Sequence, residues 1–238
     1  MKKLELKHYV VGTAVLIAIV VVCLIGCAFN GSSDGAKFKR EYEKLNGQEA
    51  SSGKKYQTLK IDKNNKVKYY TMEEAVELLI SGTGIVYFGM PDCPWCRGMV
   101  PVLLDKIGCS CLENLYYVDM QDKRNTYEIK DGEPTETKKA DEAYYQLLEI
   151  LDESLENYSI KDDDGVEHIL QEKRMYLPLV VAVKDGRIVG THTDSVELDE
   201  GQSSYDELTD VQKSELGVIY SNMIDSLKEE NLTCDEHC

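Results

Sequence analysis

Two cysteines stand three residues apart in Cys93-Pro94-Trp95-Cys96. At the start of a helix this spacing puts both thiols on one face, one turn apart. That is close enough for a disulfide to form and break. The run before them, Gly84-Ile85-Val86-Tyr87-Phe88-Gly89, is short and apolar and reads as a buried strand. The run after them, from Arg97 to Ile107, is amphipathic and reads as a helix. The first cysteine then meets the unpaired N–H groups and the positive end of the helix dipole, which favour its thiolate. The thiolate is the attacking species in disulfide exchange. Cys93 is therefore assigned as nucleophile. Cys96, one turn further in and more buried, is assigned as the resolving thiol. Pro94 suits the first helical position, where its missing N–H costs nothing. Asp92 opposes ionisation of Cys93, while Arg97 and the helix dipole favour it. Trp95 is expected on the surface, where it shapes the contact with a substrate. Exchange of this kind calls for no cofactor.

A metal site is the rival for these thiols. Cys93-x2-Cys96 followed by Cys109-x-Cys111 has an outline of zinc-ligand spacing. The run between the pairs is helical, however, and carries the second pair several turns away. No metal site is therefore expected. Cys109, Cys111, Cys234 and Cys238 are read as structural disulfide candidates, with pairing left open. The last two lie in an acidic tail, Cys234-Asp235-Glu236-His237-Cys238, and pair with each other or with Cys109 and Cys111. A second redox pair is a further alternative. His237 reads as a solvated tail residue, and His168 and His192 show no partner pattern.

The redox reading depends on where the chain sits. Lys2, Lys3 and Lys7 precede an uncharged apolar run from Val10 to Ile25, ending in Leu24-Ile25-Gly26-Cys27. The ending is similar to a bacterial lipobox, which implies cleavage before Cys27 and lipid on its sulfur. The alternative is an uncleaved membrane helix, since the run approaches the ~20 residues a bilayer needs. Either reading puts the rest of the chain on the extracytoplasmic face of the cell membrane, lipid-anchored or single-pass, where disulfides persist. The formal net charge of −16 argues against nucleic acid as a partner.

The domain reading has four parts: 1–27, signal or membrane anchor; 28–55, a linker with a short helix from Lys37 to Leu45; 56–230, the folded domain; 231–238, the cysteine-containing tail. Within the domain, Tyr56 to Ile61 and Val67 to Tyr70 read as extended. Thr71 with Glu74 reads as a capping box opening a helix that Gly82 closes. Leu115 to Asp119 is a second buried strand, completing a βαβ unit. Residues 121–137 read as a polar loop, and Ala140 to Leu155 as a helix. Ile160 to Ile169 brackets a turn at Asp162-Asp163-Asp164-Gly165. Tyr176 to Val183 is a strand opened by Pro178, and Asp185-Gly186 turns it back into Ile188 to Thr191. Thr209 starts a last helix with Val211, Leu216, Ile219, Tyr220, Met223, Ile224 and Leu227 on its apolar stripe.

Cys93-Pro94-Trp95-Cys96 between strand and helix, followed by Pro178 before an Asp-Gly hairpin and a final helix, resembles the thioredoxin superfamily over about residues 67–228. Tyr87 to Pro101, Lys173 to Thr191 and Phe38-Lys39-Arg40-Glu41-Tyr42 are similar, more narrowly, to bacterial bacteriocin transport accessory proteins, which are thioredoxin-like. The resemblance implies an α/β, three-layer fold with a central mixed β-sheet and a helical insertion, around 138–157, before the strand that follows a cis Pro178. It implies a site in which Leu177, Pro178, Pro94 and Trp95 meet the substrate. Two departures stand out. The dipeptide between the cysteines is Pro-Trp, nearer to glutaredoxins than to the Gly-Pro of thioredoxin. Tyr87 stands where many thioredoxins carry a buried acid.

The expected function is an exported, membrane-tethered thiol–disulfide oxidoreductase acting on polypeptide cysteines. Its direction is open, and a reductase would need electrons from a membrane redox partner. The alternative is a non-catalytic thioredoxin-like binding or accessory module, for example in peptide export, with a structural Cys93–Cys96 disulfide.

Overall fold

The computed structural model describes residues 33–228. The apolar run with Cys27, and the tail with Cys234 and Cys238, lie outside the described residues. Among the described residues no helix is long and apolar enough to cross a membrane.

The chain opens with helix α1 (Asp34–Glu43). It then makes strand β1 (Val67–Tyr69), helix α2 (Met72–Ser81), strand β2 (Gly84–Gly89), helix α3 (Pro94–Gly108) and strand β3 (Leu115–Asp119). Two hairpins flank a short helix in the middle third: β4 (Thr126–Lys130) with β5 (Glu133–Lys138), then α4 (Glu142–Ile150), then β6 (Glu156–Lys161) with β7 (Glu167–Arg174). The chain returns as β8 (Leu179–Lys184) and β9 (Arg187–Thr193), and closes with α5 (Asp210–Asp225).

The protein is a mixed α/β fold with a mixed five-stranded sheet, ordered β1-β3-β2-β8-β9. β3 runs parallel to β1 and β2, while β8 is antiparallel to both β2 and β9. Every residue of β2 is buried, and all of β8 but its last. Such strands need cover on both faces. Two helix pairs supply it: α2 packs on α4, and α3 on α5. Both long outer helices begin as their sequences demand. Thr71 and Thr209 each cap their helix, with Glu74 and Gln212 bonding back to close the box.

Four expectations change. Residues 34–55 are not a linker: Phe38 and Tyr42 of α1 are fully buried in the common core, because an aromatic pair one turn apart makes an apolar face that water disfavours. The stretch from Tyr56 to Ile61 forms no strand; an isolated bridge joins Glu49 to Lys55. The helix expected around 138–157 stands, as α4 (Glu142–Ile150), with a hairpin on each side of it. The supposed loop 121–137 holds the β4–β5 hairpin, turned by Asp131 and Gly132, both at positive φ. Val211 leaves the apolar stripe of α5 and is 76 % exposed, since the cap at Thr209 turns the first residues outward.

The β8–β9 turn shows how tightly the elements fit. Asp185 and Gly186 have φ of 50° and 72°, as a two-residue turn between right-twisted strands requires. The Asp185 amide donates to Thr83 Oγ1 at 2.9 Å, and the Gly186 amide to the Gly82 carbonyl at 2.9 Å. A Cβ at Gly186 would sit 2.0 Å from the Ile80 carbonyl oxygen. Gly186→Ala is therefore expected to lower stability by about 2 kcal/mol or more, through both strain and clash. Gly132→Ala, at positive φ but in open space, should cost only about 1 kcal/mol. Urea unfolding of the two variants checks the difference.

Candidate active site

The α3 helix begins in the loop leaving β2, and this places its first turn at the edge of the sheet. Cys93 is the N-cap, with φ −80° and ψ 116°. Its sulfur accepts the Cys96 amide at 3.3 Å, filling the place an oxygen takes in an ordinary cap. Pro94 occupies the first helical position, as its missing N–H allows. Both thiols are free. Cys93 is 7 % exposed and Cys96 is fully buried.

The peptide between Leu177 and Pro178 is cis. It brings the Leu177 carbonyl to 3.7 Å from the Cys93 sulfur, as acceptor of the thiol. Leu177 and Pro178 are both buried. The structure thus joins four residues that the sequence separates by more than eighty positions. Trp95 is half-buried against the core rather than exposed, because a ring of that size on the first turn can lie along the domain surface.

The two sulfurs differ in acidity. The Cys93 thiol is held below the ordinary thiol value. Donation from Cys96 contributes most; the backbone N–H groups of Cys96 and Trp95 and the charge of Arg124 add to it, against the cost of burial. Cys96 is pushed well above that value, by burial first and then by Cys93. Arg124 follows β3, donates from Nη1 to the Met175 carbonyl at 3.1 Å, and lines a cleft of about 220 Å³ with Met90, Asp92 and Arg174.

Arg97 does not supply the positive charge expected of it. Its guanidinium turns away from Cys93 and is fully buried. Nη1 donates to the carbonyls of Tyr42 at 2.7 Å and Pro91 at 3.2 Å. Nη2 donates to Asn46 Oδ1 at 2.8 Å and to the Gln57 carbonyl at 2.6 Å. Arg97 is a clamp on the N-terminal segment, and Arg124 is the cation facing the thiols. Sequence spacing could not find Arg124, because only the pairing of β2 with β3 brings the residues after β3 to this edge.

Tyr87 is a second residue whose role the sequence left open. It is fully buried on β2, and its hydroxyl lies 2.8 Å from that of Tyr42. His168, without an expected partner, pairs with Asp162 at 3.0 Å across the β6–β7 turn.

The zinc outline fails on geometry. Cys109 caps the far end of α3, about 20 Å along the axis from Cys96. Cys109 and Cys111 are both disulfide-bonded. Among the described residues no three His, Cys, Asp or Glu side chains cluster as metal ligands.

The chain matches no known family model, no curated protein and no solved structure.

The acidity difference gives a direct test. With rising pH, iodoacetamide should modify Cys93 with a midpoint below that of an ordinary thiol, while Cys96 stays nearly inert. Arg124→Ala should move the Cys93 midpoint upward, because it removes a charge that stabilises the thiolate. Arg97→Lys should leave that midpoint in place. Mass-resolved alkylation rates across the pH range give all three values.

Proposed function

We propose that this protein is a thiol–disulfide oxidoreductase of thioredoxin-like kind, acting on polypeptide cysteines and tethered by its N-terminus outside the cytoplasmic membrane. The observation that carries the reading is the Cys93 sulfur. It is made acidic at a helix start, has a partner thiol one turn away, and lies 3.7 Å from a carbonyl of a cis peptide. The sheet order and the Cys-x-x-Cys helix following β2 also support a thioredoxin-like assignment. The tether rests on the apolar run and Leu24-Ile25-Gly26-Cys27. Cys27 as lipid site, and a membrane redox partner as electron source for a reductase, belong to the same proposal.

The chemistry follows from the two acidities. The Cys93 thiolate attacks one sulfur of a substrate disulfide along the S–S axis. A Cys93–substrate bond forms, and the substrate's other sulfur leaves with the electron pair and takes up a proton. Ionisation of Cys93 also releases the Leu177 carbonyl from its thiol donor. That carbonyl is then free to accept an N–H from an extended substrate running beside Pro178. Pro94 and the half-buried Trp95 stand on the same helical turn as Cys93, where they would meet such a substrate. Cys96 next loses its proton, attacks Cys93 and expels the substrate thiolate. The reverse sequence oxidises a dithiol. An oxidase or isomerase suits the compartment, and the Pro-Trp dipeptide favours a more oxidising couple than thioredoxin.

The low exposure of Cys93, 7 %, favours one second reading: a binding module in which the two cysteines form only a structural disulfide. Trapping separates the two. Cys96→Ala removes the resolving thiol and keeps the attacker. It should accumulate covalent, reductant-sensitive adducts with a disulfide-containing peptide, and Cys93→Ala should form none. If Cys96→Ala traps nothing and the wild-type protein neither oxidises nor reduces the peptide, the binding module takes the place of the enzyme.

A further inference from the structure

The chain is acidic as a whole, with 43 Asp and Glu against 27 Lys and Arg. Yet the cleft beside the cysteine pair reverses that balance. Arg124, Lys138 and Arg174 line it, against the carboxylates of Asp92 and Asp122. Among the described residues neither arginine makes an ion pair. We propose that this cleft is a subsite for a carboxylate of the substrate polypeptide, an Asp or Glu one or two residues from the cysteine that Cys93 attacks, with Arg124 and Arg174 as its ligands. The proposal rests on the exchange reading above and names the class of peptide that the site prefers.

Neutral groups hold the two guanidiniums in place. Arg174, the last residue of β7, is 8 % exposed. Its Nη1 donates to the Asn125 carbonyl at 2.6 Å and to Asn125 Oδ1 at 3.0 Å. Its guanidinium lies over the Tyr158 ring, 4.2 Å from the centroid. Arg124 donates from Nη1 to the Met175 carbonyl at 3.1 Å. A guanidinium carries five N–H donors, and the other nitrogens of both groups have no partner among the described residues. Glu172 stands two residues from Arg174 on the same strand, but its carboxylate is engaged elsewhere. One oxygen accepts the Asn125 amide, and the other accepts the Tyr127 hydroxyl at 2.8 Å. Asn125 is fully buried, and it turns its oxygen to the arginine and its amide to the acid.

The carboxylates near the arginines do not take up their charge. Asp92 is met by Gln121, whose amide nitrogen reaches its Oδ1 at 2.9 Å. Asp122 is exposed, and Lys138 donates to its backbone carbonyl at 2.6 Å. Arg174 also borders a neighbouring cavity with Glu156 and Asp194, and pairs with neither among the described residues. Burial lowers the basicity of Arg124, and the charge of Arg174 lowers it further. An anion set between the two relieves that repulsion, and the planar fork of a guanidinium matches a carboxylate.

The cleft is placed for a residue close to the reacting cysteine. Met90 and Asp92 of its lining belong to the loop that enters Cys93, and the Cys93 amide donates to the Met90 carbonyl at 3.3 Å. Met175, which Arg124 holds, stands two residues before Leu177, whose carbonyl is 3.7 Å from the Cys93 sulfur. Two extended residues span about 7 Å. An acid one or two positions from the substrate cysteine therefore reaches the cleft, whose volume of about 220 Å³ suits one side chain. Thr126 opens the β4–β5 hairpin and Lys138 closes it, so the hairpins on both sides of α4 supply part of the wall.

Single-cysteine peptides test this on the reduced full chain. They carry Glu, Gln or Lys at each of the two positions on either side of the cysteine, and are made as mixed disulfides with 4-thiopyridine. The Cys93 thiolate attacks the peptide sulfur and the Cys93–peptide bond forms. The pyridinethiolate leaves with the electron pair, takes up a proton and is read by its absorbance. Each rate is divided by that of 2-mercaptoethanol with the same peptide, and a Cys93→Ala variant subtracts any other thiol. At one or more positions the Glu peptide should react about tenfold faster than the Gln peptide, the scale of a hydrogen bond to a charged group, and the Lys peptide should be slower than both. The preference should shrink in about 1 M salt, where screening acts within about 3 Å. Arg174→Gln and Arg124→Gln should each bring the Glu-to-Gln ratio close to one, and either serves should the other not fold. The ratio compares two peptides on one protein, so a change in Cys93 acidity cancels. Equal rates for the Glu and Gln peptides at every position of the wild-type reaction overturn the proposal. A preference kept in both variants also overturns it, by placing the recognition elsewhere. A wild-type protein that releases no pyridinethione through Cys93 from any peptide overturns instead the exchange reading beneath it.

Discussion

The buried guanidinium of Arg97 ties the site to the rest of the chain. Taking such a charge out of water costs several kcal/mol, and among the described residues no carboxylate bonds to it. Three backbone carbonyls and the Asn46 amide oxygen surround it instead, and Nε finds no partner among the described residues. Charge-assisted bonds to carbonyls recover much of the loss, and in doing so they fix geometry. The carbonyl of Pro91 holds the loop that enters Cys93. That of Tyr42 holds α1, and Gln57 with Asn46 holds the segment that returns from it. Asn46 works in both directions, donating to the Leu59 carbonyl at 2.8 Å while its oxygen accepts from Arg97. An apolar residue at 97 could fill the volume but would leave those acceptors unsatisfied.

Given that clamp, the chemistry of the two sulfurs follows from place rather than kind. Both belong to the first turn of α3. Cys93, at the cap, receives N–H groups and faces Arg124; Cys96, three residues on, faces the core. One thiol is driven down in pKa and the other up, and environments that push a pair apart assign it two roles. The Leu177 carbonyl reaches Cys93 because β8 pairs with β2 in a register that matches Leu179 to Phe88. The sheet thereby delivers the cis peptide to the helix start.

Much of this was legible in the sequence, and what was not has physical causes. The strands Gly84–Gly89 and Leu115–Asp119 appear at the expected residues, since buried parallel strands are written as unbroken apolar runs. Both capping boxes and the Asp185-Gly186 turn are local signals with local causes. The β4–β5 hairpin carries the same signal at Asp131-Gly132, yet its strands alternate between half-buried and exposed positions and have little apolar pattern. Without an apolar alternation in the sequence, strand and loop look alike. The cysteine pair and Pro178 were visible as site residues. Arg124 and Tyr42 were not, because their roles exist only once β3 and α1 are packed. Arg97 was misread for the same reason: adjacency in sequence placed it beside Cys93, while the helix turned it the other way.

The reduction potential of the Cys93–Cys96 couple in the full chain tests the exchange reading most directly. Equilibration against glutathione or dithiothreitol buffers, read by alkylation and intact mass, gives the value. A working couple with an acidic Cys93 should lie at or above about −270 mV, the level of thioredoxin. A potential below about −300 mV, where structural disulfides lie, would contradict it and leave Cys93 and Cys96 as a staple of the fold.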